Sequence, residues 1–448
     1  MDFSQLPSIS YILEEIKKSD INVPHDLCVL ISQREVERAR EDIKSGKEIK
    51  RDKIIENVKI RLNFFNKSVL RKVINATGII VHTNLGRSPI SDLVAKEVVE
   101  IATNYSNLEY DLFNNKRGRR DSLIREILMA LTGSEDATVV NNNAAAVYIV
   151  LNTLLNRKEV LISRSELIEI GGSFRIPDVI TSSGAILKEV GTTNKTHLRD
   201  YENNISELTG AIMKAHQSNF YQEGFVKSVE IDELSSLAKK KNLLLFEDLG
   251  SGCLVDLRKY GLNYEPTVQE SIQKGVDIVS FSGDKLLGAG QCGIILGKNE
   301  LIEKIRKNPL MRVLRVDKMT LCALEGTLRL YLEKRHEEIP VYRMLSKTIN
   351  EMMQDAKYIL NNVNNKNLAL EVLESEGRLG GGSTPRSSFK TIGLGIKHNI
   401  LSTKDVETFL SRRNTPIVGR VLNDYYFLDM KTVYSKDLDI ILQALNEM

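Results

Sequence analysis

The chain has 448 residues, 42% hydrophobic and 27% charged, enough for two or three compact units that each bury a core. A formal net charge of +3 does not by itself predict a nucleic-acid partner. Four scattered cysteines (Cys28, Cys253, Cys292, Cys322) with no CxxC pair argue against a zinc site or a disulfide framework. With no apolar N-terminal leader and no run long enough to span a bilayer, no membrane partner and a cytoplasmic setting are expected.

Residues 1–72 read as a separate helical domain. Apolar residues recur at helical spacing through 8–16 and 29–43. Charge within this region is lopsided. Residues 1–43 carry five basic and nine acidic side chains, whereas 44–72 carry ten basic (Lys44, Lys47, Lys50, Arg51, Lys53, Lys59, Arg61, Lys67, Arg71, Lys72) against three acidic. Such a strip suits a phosphate backbone through counterion release, although a solvated helix face has the same composition.

From Val73 the texture changes to an extended segment broken by glycines and small polar residues, ending in Gly86-Arg87-Ser88-Pro89 before a helical run from Ser91 to Thr103. The Arg87 guanidinium stands where it could reach an anion. Arg117-Gly118-Arg119-Arg120 is either a surface turn or an oxyanion site. Residues 73–122 therefore read as a linking segment that contributes to a site.

Residues 123–320 alternate helices with short apolar strands, the pattern of a large α/β domain with a mostly parallel sheet. Seven strands are expected, near 137–140, 159–162, 185–190, 210–214, 243–246, 277–280 and 293–296. In open α/β sheets ligands gather at the carboxyl ends of strands. After the first strand comes Asn141-Asn142-Asn143-Ala144-Ala145-Ala146, which opens an apolar helix whose free N–H groups suit a phosphate. The fourth strand leads to His216, the fifth ends on Asp248, and the sixth runs into Ser280-Phe281-Ser282-Gly283-Asp284-Lys285-Leu286-Leu287-Gly288.

A lysine in a glycine-rich turn is by itself usually a surface charge. Combined with a phosphate cradle (Asn142, Asn143, Ala144, Ala145) and a carboxylate at a strand tip (Asp248), Lys285 makes a set suited to pyridoxal 5'-phosphate. The phosphate needs N–H donors, the pyridine nitrogen an anion, and the aldehyde an amine. Ser282 could add a hydroxyl to the phosphate, and His216 is either near the ring or a satisfied core histidine.

The last third, 321–448, reads as a small α+β domain. Helices are expected at 321–332, 342–361 and 402–412, short strands near 369–372 and 391–394 flanking a flexible turn at 377–383, further strands at 416–420 and 426–429, and a final helix.

Over nearly its whole length the chain resembles the bacterial L-seryl-tRNA(Sec) selenium transferases, the selenocysteine synthases. The matching segments include Ile74-Asn75-Ala76-Thr77-Gly78, His82-Thr83-Asn84-Leu85-Gly86-Arg87, Leu108-Glu109-Tyr110-Asp111-Leu112, the Asn141–Ala146 run, Glu169 to Pro177, Gly191-Thr192-Thr193-Asn194, Asp248-Leu249-Gly250-Ser251-Gly252, Phe281 to Gly288 and Arg315 to Leu321. One departure is Ala289-Gly290, where the family has Gly-Pro.

The resemblance implies a fold-type-I pyridoxal-phosphate transferase with a seven-stranded sheet, in which Lys285 carries the cofactor and Asp248 faces its ring nitrogen. It implies a homo-oligomer of dimers, commonly a decamer (a pentamer of dimers), and an N-terminal domain that binds selenocysteine tRNA. The implied reaction converts seryl-tRNA(Sec) by β-elimination to aminoacrylyl-tRNA and adds selenium from selenophosphate. Asp284 is the candidate for assisting hydroxide departure. Arg87, Arg119, Arg312 and Arg315 are candidates for substrate anions, since guanidinium forks match phosphate oxygens. The alternative is a related pyridoxal-phosphate lyase acting on a small amino acid or amino sugar acid, which would need no tRNA.

Overall fold

The computed structural model describes residues 4–65, 70–170, 174–217 and 219–448. The chain divides into two compact units, Met1–Val73 and Ile74–Met448.

The first unit holds three helices, α1 (Ile9–Lys17), α2 (His25–Lys44) and α3 (Arg51–Phe65). The Ser8 side chain accepts the Tyr11 N–H and so caps α1. Ile55, Val58 and Leu62 recur at helical spacing on α3 and pack with Ile12, Ile16, Cys28 and Ile31 into a small core. The basic residues fall largely outside it: Lys44, Lys47, Lys50, Arg51 and Lys53 are exposed. Some of this charge is met locally, by Lys47–Asp42 and Lys53–Glu56 (2.7 Å each) and by Arg61 on the buried Glu35 (2.7 Å). Lys67 lies outside the described residues.

The second unit is built on a seven-stranded sheet. Its strands are β1 (Asp136–Val140), β2 (Glu159–Ser163), β3 (Ile186–Val190), β4 (Thr209–Ala215), β5 (Leu244–Gly250), β6 (Ile278–Ser282) and β7 (Gly293–Gly297). Their order is β1-β7-β6-β5-β4-β2-β3, parallel except that β7 runs antiparallel to both neighbours. Successive side chains alternate between two cores. Val139, Leu161, Ile212, Leu245, Val279 and Ile294 face one, and Val140, Ile162, Met213, Phe246, Ile278 and Ile295 the other. Burial on both faces is why these strands read as continuous apolar runs.

The C-terminal region differs from the expectation in three places, each marked by a glycine or a cap. The two short strands are a long hairpin, Leu368–Gly380 with Ser383–His398. Gly377 belongs to the strand, because a Cβ there would lie 2.5 Å from the Phe389 ring and 2.8 Å from the Gly78 carbonyl oxygen. The glycine thus marks close approach of another backbone, not a turn. The helix expected over 342–361 is two, Pro340–Ser346 and Ile349–Asn362, the second capped by the Thr348 hydroxyl. The strand at 416–420 splits at Gly419, whose N–H donates to the Tyr426 hydroxyl (2.8 Å).

The segment after Val73 is built into these C-terminal sheets. Ile74–Asn75 pairs in parallel with Ile417–Val418, and the strand Ile79–Val81 pairs with Arg378 and Gly380. Among the described residues, no helix is long and apolar enough to cross a membrane.

Candidate active site

The carboxyl ends of β1, β4, β5 and β6 converge on Lys285. The lysine sits in a closed turn after β6. Gly283 N–H donates to Cys292 O (2.9 Å), Ala289 N–H to Gly283 O (2.8 Å), and Leu286 N–H to Ser251 O (3.1 Å). The family departure at Ala289-Gly290 leaves this closure intact. Lys285 is buried, and burial is the largest influence pulling its amine below the ordinary lysine range. Asp248 opposes that shift, Arg87 adds to it, and Asp284 and Glu265 oppose it.

Asp248 ends the apolar part of β5, beside Ala215 on β4 and Ser280 on β6. Its Oδ1 accepts from Asn143 Nδ2 (2.8 Å) and from the Ser280 hydroxyl (3.3 Å). Burial pushes the Asp248 carboxyl above its usual range, against the Asn143 hydrogen bond and the Lys285 charge.

The asparagine side chains have partners within the fold. Asn142 caps the helix α4 (Asn143–Leu154), its Oδ1 accepting the Ala145 N–H (2.8 Å). Asn143 holds Asp248 and keeps a buried Oδ1 without a hydrogen-bond partner. Ala146 N–H donates to Asn142 O (3.1 Å), so the N–H groups of Asn143 and Ala144 remain at the open end of the helix. This end is pressed against β7: a Cβ on Gly293 would stand 2.1 Å from the Asn142 carbonyl oxygen. Ser282, buried, closes β6 three residues before Lys285.

The loop carrying Arg87 is stitched onto the lysine turn from almost two hundred residues away. Arg87 N–H donates to His82 O (2.9 Å), and Ser88 donates through its N–H to Asp284 O (3.2 Å) and through its hydroxyl to Lys285 O (2.6 Å). Arg87 itself adopts a φ of 61°, uncommon for a non-glycine residue, and its Nη1 lies 2.7 Å from Asp284 Oδ2. The buried Asp284 keeps its other oxygen, Oδ1, without a hydrogen-bond partner.

The remaining candidates are distributed differently. His216 Nε2 is 3.4 Å from the buried Glu265, and the main-chain N–H of His216 donates to the main-chain carbonyl of Asp248 (2.9 Å). Burial would lower its pKa, but Glu265 and then Glu247 outweigh that and leave it raised. Arg312 and Arg315 are exposed, on a turn tied to the cradle because Asn141 N–H donates to Leu314 O (2.9 Å). Arg119 is engaged by Glu303 (3.2 Å) and Asp121 (3.9 Å) instead of by any residue around Lys285. Gly171–Ser173 of one family segment, and Ser218, lie outside the described residues. Three groups escaped the sequence reading: Ser88, Ser280 and Glu265. Nothing local marks them, since their partners lie on other strands and loops.

A family model described as L-seryl-tRNA selenium transferase matches residues 73–434. A protein of Aquifex aeolicus (strain VF5) named L-seryl-tRNA(Sec) selenium transferase is 46% identical over 446 residues, covering 99% of this chain and 98% of that protein. One of Clostridium perfringens (strain 13 / Type A) with the same name is 49% identical over 383 residues, covering 85% and 83%. Among solved structures, a D-glucosaminate-6-phosphate ammonia-lyase superposes with a TM-score of 0.60 at 20% identity, covering 86% of this chain and 97% of that one. The chain thus shares its fold with that ammonia-lyase.

Proposed function

Since the chain belongs to the L-seryl-tRNA selenium transferase family, we propose that it converts seryl-tRNA(Sec) to selenocysteinyl-tRNA(Sec), with pyridoxal 5'-phosphate as cofactor and selenophosphate as selenium donor. The observation that carries this reading is the buried Lys285 amine facing a carboxylate, Asp248, that is itself held by Asn143 and Ser280.

The residues present fit the cofactor. Asn143 and Ala144 N–H groups with Ser282 would hold its phosphate, Asp248 its ring nitrogen and Lys285 its aldehyde carbon. When bound, the cofactor supplies an aldehyde that condenses with amines and a ring that takes up electrons released at the α-carbon. Lys285 Nζ, once free, removes the α-proton of the seryl group, which requires an unprotonated amine. Burial together with Arg87 favours that state. Asp284, with Oδ2 held by Arg87 and Oδ1 open, relays the proton taken up by Lys285 to the departing hydroxyl oxygen, since hydroxide leaves readily only as water. Arg87, Arg312 and Arg315 bind the incoming dianion, Arg87 exchanging its Asp284 contact and Arg315 its longer Glu109 contact (3.8 Å) for it; Arg119, held by both Glu303 and Asp121, is left out of this set.

The charges around Lys285 give an expectation with opposite signs. Arg87→Ala removes a cation that lowers the amine's pKa, so cofactor linkage in the cofactor-free protein should begin at higher pH. Asp284→Asn removes an anion and frees Arg87, so linkage should begin at lower pH. Absorbance titration with added pyridoxal phosphate checks both. Shifts in the same direction would refute the electrostatic account.

The exposed bases of residues 44–53 support tRNA binding by the first unit, in a cytoplasmic setting where charged tRNA is available. Removing residues 1–72 should abolish the gel shift of selenocysteine tRNA while leaving cofactor absorbance intact. The exposed apolar side chains Val99, Tyr105, Leu112 and Phe113, all within one short segment, support a homo-oligomer of dimers, with a decamer as the expected mass on sedimentation. The deciding experiment for the function is conversion of seryl-tRNA(Sec) by the purified protein with selenophosphate. A protein that loads pyridoxal phosphate but leaves this substrate unchanged refutes the reading.

A further inference from the structure

A cavity of about 410 Å³ opens between the loop after β4 and the hairpin turn of the C-terminal sheet, lined by Asn219, Phe220, Tyr221, Arg378, Ser383 and Thr384 among others. Both of its walls run back to the lysine cluster. The loop leaves β4 at Ala215, the register partner of Asp248. The turn rests on Val81, one residue before His82, whose carbonyl receives the Arg87 N–H. Gly381 sits so close to this strand that a Cβ would stand 2.3 Å from the Val81 side chain.

The lining carries polar groups that the fold itself leaves unused. Ser383 and Thr384 are 3% and 6% exposed, and neither hydroxyl has a hydrogen-bond partner; Asn219 Oδ1 is likewise unpartnered. Buried hydroxyls without partners are destabilising and rare in folded proteins. Thr384 also holds a φ of 44°, which a β-branched residue adopts only under constraint. Strain and unsatisfied groups concentrated in one turn mark a site built for a ligand. Arg378 is exposed at the rim, and Tyr221 is 50% exposed beside Phe220.

We propose that this cavity receives the 3'-terminal nucleotide of the aminoacylated tRNA, with Arg378 on its phosphate, Ser383 and Thr384 on its sugar oxygens, and Phe220 and Tyr221 against its base. The assignment rests on the function proposed above and adds to it the place where the acceptor end docks. An aminoacyl ester sits directly on the terminal sugar, so a pocket for that nucleotide must lie near the Lys285 cluster, and both walls of this one are chain segments that continue into it. Aromatic faces with a cation and hydroxyl donors are the usual means of holding an unpaired nucleotide.

The test uses the full-length, cofactor-loaded protein and adenosine 5'-monophosphate as probe. The double variant Ser383→Ala, Thr384→Val should raise KM for seryl-tRNA(Sec) about tenfold, the equivalent of one good hydrogen bond, with kcat within about twofold. Competitive inhibition by the probe should weaken in parallel, and Arg378→Ala should weaken both as well. The melting temperature of the double variant should not fall, because each change removes an unpaired hydroxyl. An unchanged KM, equal inhibition of variant and wild type, or a lowered melting temperature overturns the assignment while the proposed function stands. If the wild type converts no seryl-tRNA(Sec), both fall together.

Discussion

Lys285→Ala is expected to lower seryl-tRNA(Sec) conversion roughly ten-thousandfold, because in the proposed mechanism the same amine anchors the cofactor and takes the α-proton. The fold should survive. The turn around Lys285 is closed by main-chain bonds from Gly283, Ala289 and Leu286, none of which uses the lysine side chain. Burial disfavours the charged amine, so its removal relieves a desolvation cost. The cofactor phosphate and ring nitrogen would keep their partners, so pyridoxal phosphate should still bind, without a covalent bond. Borohydride followed by digestion separates the outcomes: the wild type should retain cofactor on the peptide containing Lys285, and the variant should retain none. Labelling of the variant, or activity within tenfold of wild type, would exclude Lys285 as the anchor.

Asp248→Asn should have the next largest effect, a loss on the order of a hundredfold to a thousandfold in turnover, comparable to removing one fixed electrostatic partner in a water-excluded site. The substitution is nearly isosteric, and its carbonyl oxygen can still accept from Asn143. What disappears is the charge that would keep the cofactor's ring nitrogen protonated. Stability should move the other way in the cofactor-free protein. Burial raises the Asp248 pKa above its unfolded value, so the folded state binds the proton more tightly and loses stability as pH rises through and above the carboxylate range of about 4. The variant lacks this titration. Without cofactor it should melt at least as high as wild type at neutral pH, the difference closing as pH falls. With cofactor bound the order should reverse. Melting curves at several pH values, with and without pyridoxal phosphate, check both halves.

The large sheet was legible because its inner strands are compact apolar runs bounded by turn residues, and burial on both faces removes the ambiguity of alternation; the edge strand Ile186–Val190, with only Val190 buried, is the exception. Lys285 and the Asn141–Ala146 run were legible for a related reason: they follow closely after strands, and Asp248 lies near the end of one, where topology leads to a candidate site. What the sequence did not carry was the use of individual atoms. Nothing in Asn142-Asn143 distinguishes an amide that caps its own helix from one that binds phosphate, and only the neighbouring strand decides. The commitment of Arg119 to Glu303 spans 184 positions. Gly377 read as a turn because close backbone approach and chain reversal call for the same residue. Gly380 to Gly382, three positions on, do mark the reversal.

The pairing of Ile74–Val81 with strands at 378–380 and 417–418 has a consequence for how the protein is made. The large sheet is complete once residue 297 has left the ribosome, and Lys285 can be buried then. The early segment, synthesised before any of it, has no strand to join until the last quarter of the chain emerges. Until then the Arg87 loop lacks its sheet anchor, and Ile79, Ile80 and Val81 present an unpaired edge, the kind of transient surface on which nascent chains associate wrongly. Such long-range closure is intrinsically slow. Chains stalled before residue 368 should therefore carry a formed lysine turn but an unanchored arginine, so the reactive amine would mature before the group that pairs with Asp284.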